Sequence, residues 1–205
     1  FTIIPEEPDC GKSLKLLGYK KEAGSAAEKF YKAMLSGKAK NLVTSDPLVL
    51  DCLMNDFKEF GIEMEKSFKI MHFSEFADFV LNEFNLPVKE YDKKVAIADS
   101  EFLCKKNARC DSVRAIVLKA AKKGYTEMFR NKKDAYATGE AAFYQNGAVF
   151  ADGKALGKKI YADALKLGLD TIITLSGTAK ENILAAGGKK IEVLDIAEFI
   201  SLLLK

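Results

Sequence analysis

Four cysteines, a single histidine and scattered carboxylates are the residues of this 205-residue chain able to carry redox, covalent or metal chemistry. Cys10, Cys52, Cys104 and Cys110 contain no CxxC pair and lack the dense spacing of small disulfide-stapled domains, so buried thiols are expected. Cys104 and Cys110 would need Asp99 or Asp111 to hold a metal, and their spacing is not that of a zinc knuckle. His72 has no nucleophile at a useful spacing and reads as a strand-end residue rather than a general base. Neither GxGxxG nor a GxxxxGK loop occurs, which makes Gly139-Glu140-Ala141-Ala142 a turn and not a phosphate fingerprint. Asp46 and Ser176 precede helix starts whose free amides could accept an anion, although capping by the two side chains accounts for both.

The composition bounds the classes of function. With 48% hydrophobic residues the chain can bury a core, or two small cores sharing an interface. A net charge of +3, with arginine only at Arg109, Arg114 and Arg130, reads as solvated surface and not as a stripe that tracks phosphates; no nucleic-acid partner is expected. No apolar run reaches bilayer length and no signal pattern opens the chain, so the expectation is a cytoplasmic protein without a membrane span.

The elements that must position these residues recur. At an offset of 130, Phe30–Leu35 lies over Ile160–Leu165 and Asn41–Thr44 over Thr171–Thr174; Asp9-Cys10-Gly11 falls on Ala137-Thr138-Gly139 at 128, and Phe73–Phe76 on Ile196–Phe199 at 123. A repeat of half the chain implies two related α/β units, 1–90 and 91–205, joined near Pro87–Lys93. In the first unit the patterns predict a strand at Phe1–Ile4 and helices over Ser13–Leu17 and Ser25–Leu35, the second ended by Gly37 in a left-handed conformation. They continue with a strand at Asn41–Thr44, a helix from Pro47 to Phe60, a strand at Ile70–His72 and a helix over Ser74–Phe84. Phe76, Phe79, Val80 and Phe84 form one apolar stripe, expected to be core packing or a partner-helix face. The second unit reads as strand Val95–Ile97, helix Ser112–Lys122, a strand at Tyr125–Met128, a turn at Gly139 and helix Gly153–Gly168. Strand Thr171–Leu175, a helix after Gly177, strand Ile191–Leu194 and helix Ile196–Leu204 complete it. Overlaying the units leaves the first without a leading strand and helix, unless these lie outside the chain. Alternating strands and helices call for mostly parallel sheets flanked by helices, with sites in the loops after the strands; 98–107, 136–146 and 175–180 should therefore converge.

Those loops carry a family likeness. Ile97-Ala98-Asp99-Ser100-Glu101-Phe102-Leu103, Ala137-Thr138-Gly139-Glu140-Ala141-Ala142 and Thr174-Leu175-Ser176-Gly177-Thr178-Ala179 resemble the three segments of the cysteine-rich CCG domain, which run roughly DPCHL, CCGxGG and CPxC. In the first unit, Pro5-Glu6-Glu7-Pro8-Asp9-Cys10-Gly11 with Gly18-Tyr19 is similar to the family's ExPCCG and GY, and Thr44-Ser45-Asp46-Pro47-Leu48-Val49 to its CPxC turn. The family includes the cysteine-rich subunit of heterodisulfide reductase and the iron–sulfur subunits of glycolate oxidase-type systems. The resemblance covers nearly the whole chain and implies two pseudo-symmetric, Rossmann-like repeats.

Members use the cysteines to bind iron–sulfur clusters, because soft thiolates hold iron. In this chain the matching positions of the second unit are Glu101, Ala137, Thr138, Ser176 and Ala179, and those of the first are Asp9, Cys10, Asp46 and Val49. One thiol survives. The resemblance therefore implies a degenerate member with no cofactor of its own, serving as scaffold or docking module beside iron–sulfur or flavin protein subunits of an electron-transfer complex. Two alternatives stay open: an oxidoreductase subunit using Cys10 with cluster ligands from a partner, and a small-anion or metabolite binder using vacated clefts.

Overall fold

The computed structural model describes residues 2–4, 6–121, 124–141, 150–187 and 189–204. The first half is built from α1 (Lys12–Leu16), α2 (Lys20–Ser36), β1 (Asn41–Thr44), α3 (Pro47–Asp51), α4 (Phe57–Glu59), α5 (Met64–Ser67), β2 (Lys69–His72) and α6 (Phe73–Glu83). The second half carries β3 (Val95–Ile97), α7 (Asp111–Ala120), α8 (Phe150–Lys166), β4 (Thr171–Thr174), α9 (Gly177–Ala186), β5 (Glu192–Asp195) and α10 (Ile196–Leu204). Two parallel sheets result. β1 pairs β2 from Asn41↔Lys69 to Thr44↔His72, and β4 lies between β3 and β5 in register Ala96↔Ile172↔Val193. The protein is thus of mixed α/β class.

Local chemistry explains where the helices begin. Asp46 Oδ1 accepts the Leu48 amide at 2.8 Å with Pro47 in the first turn of α3, and Ser176 Oγ accepts the Ala179 amide at 3.1 Å at the start of α9. α6 opens with a reciprocal cap in which His72 Nδ1 accepts the Ser74 amide at 3.2 Å and Glu75 accepts the His72 amide at 2.8 Å. α10 opens in the same way, with Asp195 accepting from Ala197 at 2.9 Å and Glu198 accepting from Asp195 at 2.8 Å.

Three apolar clusters hold the layers. One, around Phe30, Cys52, Phe57 and Ile70, fills the first half; another, around Ala96, Ile160, Ile172 and Ile183, backs one face of β3–β4–β5. The third joins the halves: Leu50, Ala77 and Leu81 pack with Val95, Ile97, Val117, Ile173 and Phe199. β4 is buried throughout, whereas β1 alternates between exposed and half-buried residues.

Several sequence expectations need correction. Residues 2–4 form no strand; Ile3 is 75% exposed, and the prolines nearby remove amide donors from any ladder. Gly37 ends α2 with φ −72°, and the left-handed residue is Lys38 at φ 51°. Tyr125 makes only an isolated bridge to Val95 instead of starting a strand. The expected helix from Pro47 to Phe60 contains a π-helical turn, Cys52–Asp56, and a second such turn, Glu101–Lys106, falls where a loop was expected. The phenylalanine stripe of α6 is not core. Phe76, Phe79 and Phe84 are exposed because the small side chains Ser74 and Ala77, with Leu81, form the buried face. Lys122 and residues 142–146, parts of the predicted helix and loop, lie outside the described residues.

Candidate functional site

The residues singled out by the sequence form two sites, one per half. In the second, the three loops converge as expected. Ser100 Oγ donates to Glu140 at 2.6 Å and Ser176 Oγ donates to it at 2.7 Å, while Glu101 accepts the Thr138 amide at 2.8 Å. The direction of the serine bonds is fixed locally: Ser100 Oγ already accepts the amides of Phe102 and Leu103, and Ser176 Oγ that of Ala179, leaving both hydroxyl protons for the carboxyl group. Asn182 closes the site from α9 by donating to the Thr138 carbonyl at 2.9 Å. Gly139, at φ 78°, makes this approach possible; a Cβ there would stand 2.8 Å from the Asn182 amide nitrogen.

Glu140 is fully buried. Burial pushes its carboxyl up to about 7, the serine hydroxyls pull it back, and the charges of Glu101 and Asp46 push it further up. Thr138 Oγ1, also buried, has no hydrogen-bond partner among the described residues. This half of the molecule therefore closes over a carboxyl group.

The first site is open. Glu7, Pro8, Asp9, Cys10, Asp46 and Val49 line a cavity of about 490 Å³ at the mouth of which Asp9 is exposed. Asp9 Oδ1 accepts the Gly11 amide at 2.6 Å, so it shapes the turn, as Asp46 shapes the start of α3. Burial pushes the Asp46 carboxyl up, against its bonds from the Leu48 and Val49 amides. Lys12 also lines the cavity, and its Nζ pairs with Asp51 at 2.5 Å and Asp56 at 2.7 Å, with Lys15 joining Asp56 at 2.8 Å. Burial alone would push the Lys12 ammonium down, but its two carboxylates hold it above its ordinary value. Asn107, from the other half, donates to Asp51 at 2.9 Å, and Lys12 lies 5.5 Å from the Phe102 ring centroid, so this charge cluster also pins the halves together.

The sequence implied a lone Cys10, but the structure gives it a partner. The Cys52 thiol, at the head of the π-helical turn, donates to the Cys10 carbonyl oxygen at 3.4 Å. The Cys52 side chain, with help from the Lys12 amide and against burial and the charges of Asp9 and Asp46, holds the Cys10 thiol below its usual range, while the proximity of Cys10 and burial push Cys52 up.

Other candidates resolve into structure. His72 is buried and pushed down to about 4 by burial; since Nδ1 accepts the Ser74 amide, the proton sits on Nε2, 3.3 Å from the Ser45 carbonyl oxygen. Asp99 is committed as well: it takes two bonds from Arg114 at 2.7 and 2.9 Å, one from the Lys132 amide at 2.6 Å and one from Cys104 at 3.2 Å. Burial and the Asp99 charge push Cys104 up. Asp111 is exposed, and among the described residues no group of three or more His, Cys, Asp or Glu side chains could hold a metal ion. No helix among them is long and apolar enough to cross a membrane.

Sequence reasoning missed Lys12, Glu140, Ser100 and Cys52. One signal was available: at the offset of 128 that overlays Gly11 on Gly139, Lys12 falls on Glu140, a charged residue behind a turn glycine in each unit. Compared with known proteins, the chain matches no family model and no curated protein.

Proposed function

We propose that the chain is a cofactor-free, CCG-type subunit of a cytoplasmic electron-transfer assembly, acting as a docking scaffold for iron–sulfur or flavin protein partners. The fold reading that accompanies it is two pseudo-symmetric repeats, 1–90 and 91–205. It is supported by the order helix, strand, helix, strand, helix around β1–β2 and β4–β5, and by the paired caps at Asp46 and Ser176 and at His72 and Asp195, which fall at the sequence offsets of the repeat.

The observation that carries the functional reading is Glu140. It sits where the three loops converge, bonded to both serines, and the residues at the cluster positions do not fit an iron–sulfur group. Ala137 and Ala179 offer no donor atom, the Glu101 carboxylate is bound to backbone amides, and Ser176 is committed to Glu140. In the first unit, Asp9 and Asp46 are spent on backbone amides, leaving Cys10 as the single thiolate at a cluster position. A cluster would need ligands from another chain. The anion-binding alternative draws no support from the first site, whose rim carries Glu7, Asp9 and Asp46 and whose Lys12 is already neutralised by two carboxylates.

Anaerobic purification from the native host, with iron and acid-labile sulfide quantified and co-eluting proteins identified, tests this. The expected result is a colourless protein without iron that travels with redox subunits. Stoichiometric iron with a brown colour that survives chelation, and is lost in Cys10→Ser, would overturn it in favour of a cluster completed by a partner.

A further inference from the structure

We propose that Cys10 and Cys52 form a dithiol–disulfide couple that opens onto the acid-rimmed cavity of the first unit and exchanges with positively charged low-molecular-weight disulfides, Cys10 attacking and Cys52 resolving. The inference does not rest on the scaffold reading, whose test reads iron and co-eluting partners and not thiol exchange.

The roles follow from placement. Cys10 lines the cavity, whereas Cys52 is wholly buried and is not part of its lining. An incoming disulfide therefore meets one sulfur first. The Cys52 thiol, which reaches the Cys10 carbonyl oxygen at 3.4 Å, and the Lys12 amide favour the Cys10 thiolate, the form that attacks, against burial and the charges of Asp9 and Asp46. Cys52 also stands on a π-helical turn, an irregularity that gives the backbone a local means of adjusting as the sulfurs close. The Cys104 and Cys110 pair supplies an internal contrast: burial and the Asp99 carboxylate push the Cys104 thiol up, whereas Cys10 stays below its usual range despite Asp9 and Asp46.

The reaction balances with the disulfide RS–SR as oxidant. Cys10 thiolate attacks one sulfur, forming a Cys10–SR mixed disulfide and releasing RS⁻, which takes up a proton. Cys52 loses its proton to solvent and attacks the Cys10 sulfur, closing the Cys10–Cys52 bond and expelling the second RS⁻. The pair gives up two electrons and two protons, and RS–SR becomes two RSH. Charge selects the partner. Glu7, Asp9 and Asp46 face the cavity while the nearest cation, Lys12, is held by Asp51 and Asp56, so a cationic disulfide is drawn in and an anionic one repelled.

The test treats the reduced full chain at neutral pH with cystamine, quenches with acid, alkylates and maps the peptides by mass. Wild type should yield a Cys10–Cys52 disulfide and two cysteamines released per chain; Cys52→Ala should stop at a cysteamine adduct on Cys10, and Cys10→Ser should do neither. At low ionic strength cystamine should react about tenfold faster than glutathione disulfide, an advantage that shrinks with salt and in Asp9→Asn/Asp46→Asn, which keeps both backbone caps. A persistent adduct on Cys10 in wild type, or oxidation of Cys104–Cys110 in preference, would overturn the couple, and this reading of wild type stands even if Cys52→Ala does not fold. Equal rates for the two disulfides would overturn the charge selection.

Discussion

Lys12 and Glu140 occupy matching positions behind the turn glycines of the two halves, and both are buried, yet they are stabilised by opposite means. Lys12 keeps its charge because two carboxylates lie within 2.7 Å. Glu140 meets two hydroxyls and no cation among the described residues that bond it, and burial raises its pKa to about 7 so that it sheds its charge as the solution becomes acidic. The difference teaches that a single turn can house either an ion pair or a titrating acid. What decides is the set of groups that the rest of the fold delivers to it. The ion pair sits in the lining of an open cavity, whereas the carboxyl group joins three loops.

Replacing Lys12 should have the largest consequence. Lys12→Met leaves Asp51 and Asp56 buried with fewer donors, and removing one partner of such a cluster costs about 3–5 kcal/mol, read as a loss of urea midpoint at neutral pH. A loss below about 1 kcal/mol would mean that the cluster behaves like a surface pair, and the contrast with Glu140 would collapse.

Glu140→Gln comes next and acts through pH. The folded-state value of about 7 lies above the ordinary 4.5, so the protonated form is favoured by folding. The contribution is fully present below about pH 4.5 and is lost as the pH rises towards 7, amounting to roughly 3 kcal/mol. Urea titrations at a series of pH values should show that fall in wild type and a flatter profile in Glu140→Gln. An unchanged slope in the variant would assign the titration to another group.

The smallest effect separates the two equivalent caps. Asp46→Ala should cost about 1 kcal/mol for the lost helix cap. Ser176→Ala should cost about 2 kcal/mol, since it removes a cap and one of the two donors to Glu140. Equal losses in thermal or urea unfolding would show that the serine contributes to Glu140 nothing beyond its cap.

Much of the scaffold was legible in the residues. β1 matches its predicted span to the residue, because a short apolar run between Gly37 and the Ser45-Asp46-Pro47 helix start leaves little latitude. The convergence of the second-unit loops followed from the rule that sites form after parallel strands. The occupants of the sites were not legible. Glu140 finds its serines 40 and 36 residues away and Lys12 its carboxylates 39 and 44 away, and no local pattern reports such distant partners. Cys52 falls on the apolar face of a predicted helix, where a thiol passes for core, and π-helical turns leave the periodicity around them intact. The core alternative for the phenylalanines of α6 failed for the converse reason: periodicity finds the apolar stripe but not which side of a helix a neighbour covers, and α7 packs against the small residues instead.

The alternating exposure of β1 also bears on how the molecule breathes. Among the described residues β1 has one neighbouring strand where β4 has two, so its amides are held by fewer cooperating bonds. Local opening free energies scale with such contacts, which makes the two-stranded half the first to loosen and the three-stranded half the part that persists. The Cys10 and Cys52 thiols both belong to the half that loosens first, so amide hydrogen exchange should be faster around these sulfurs than around Glu140.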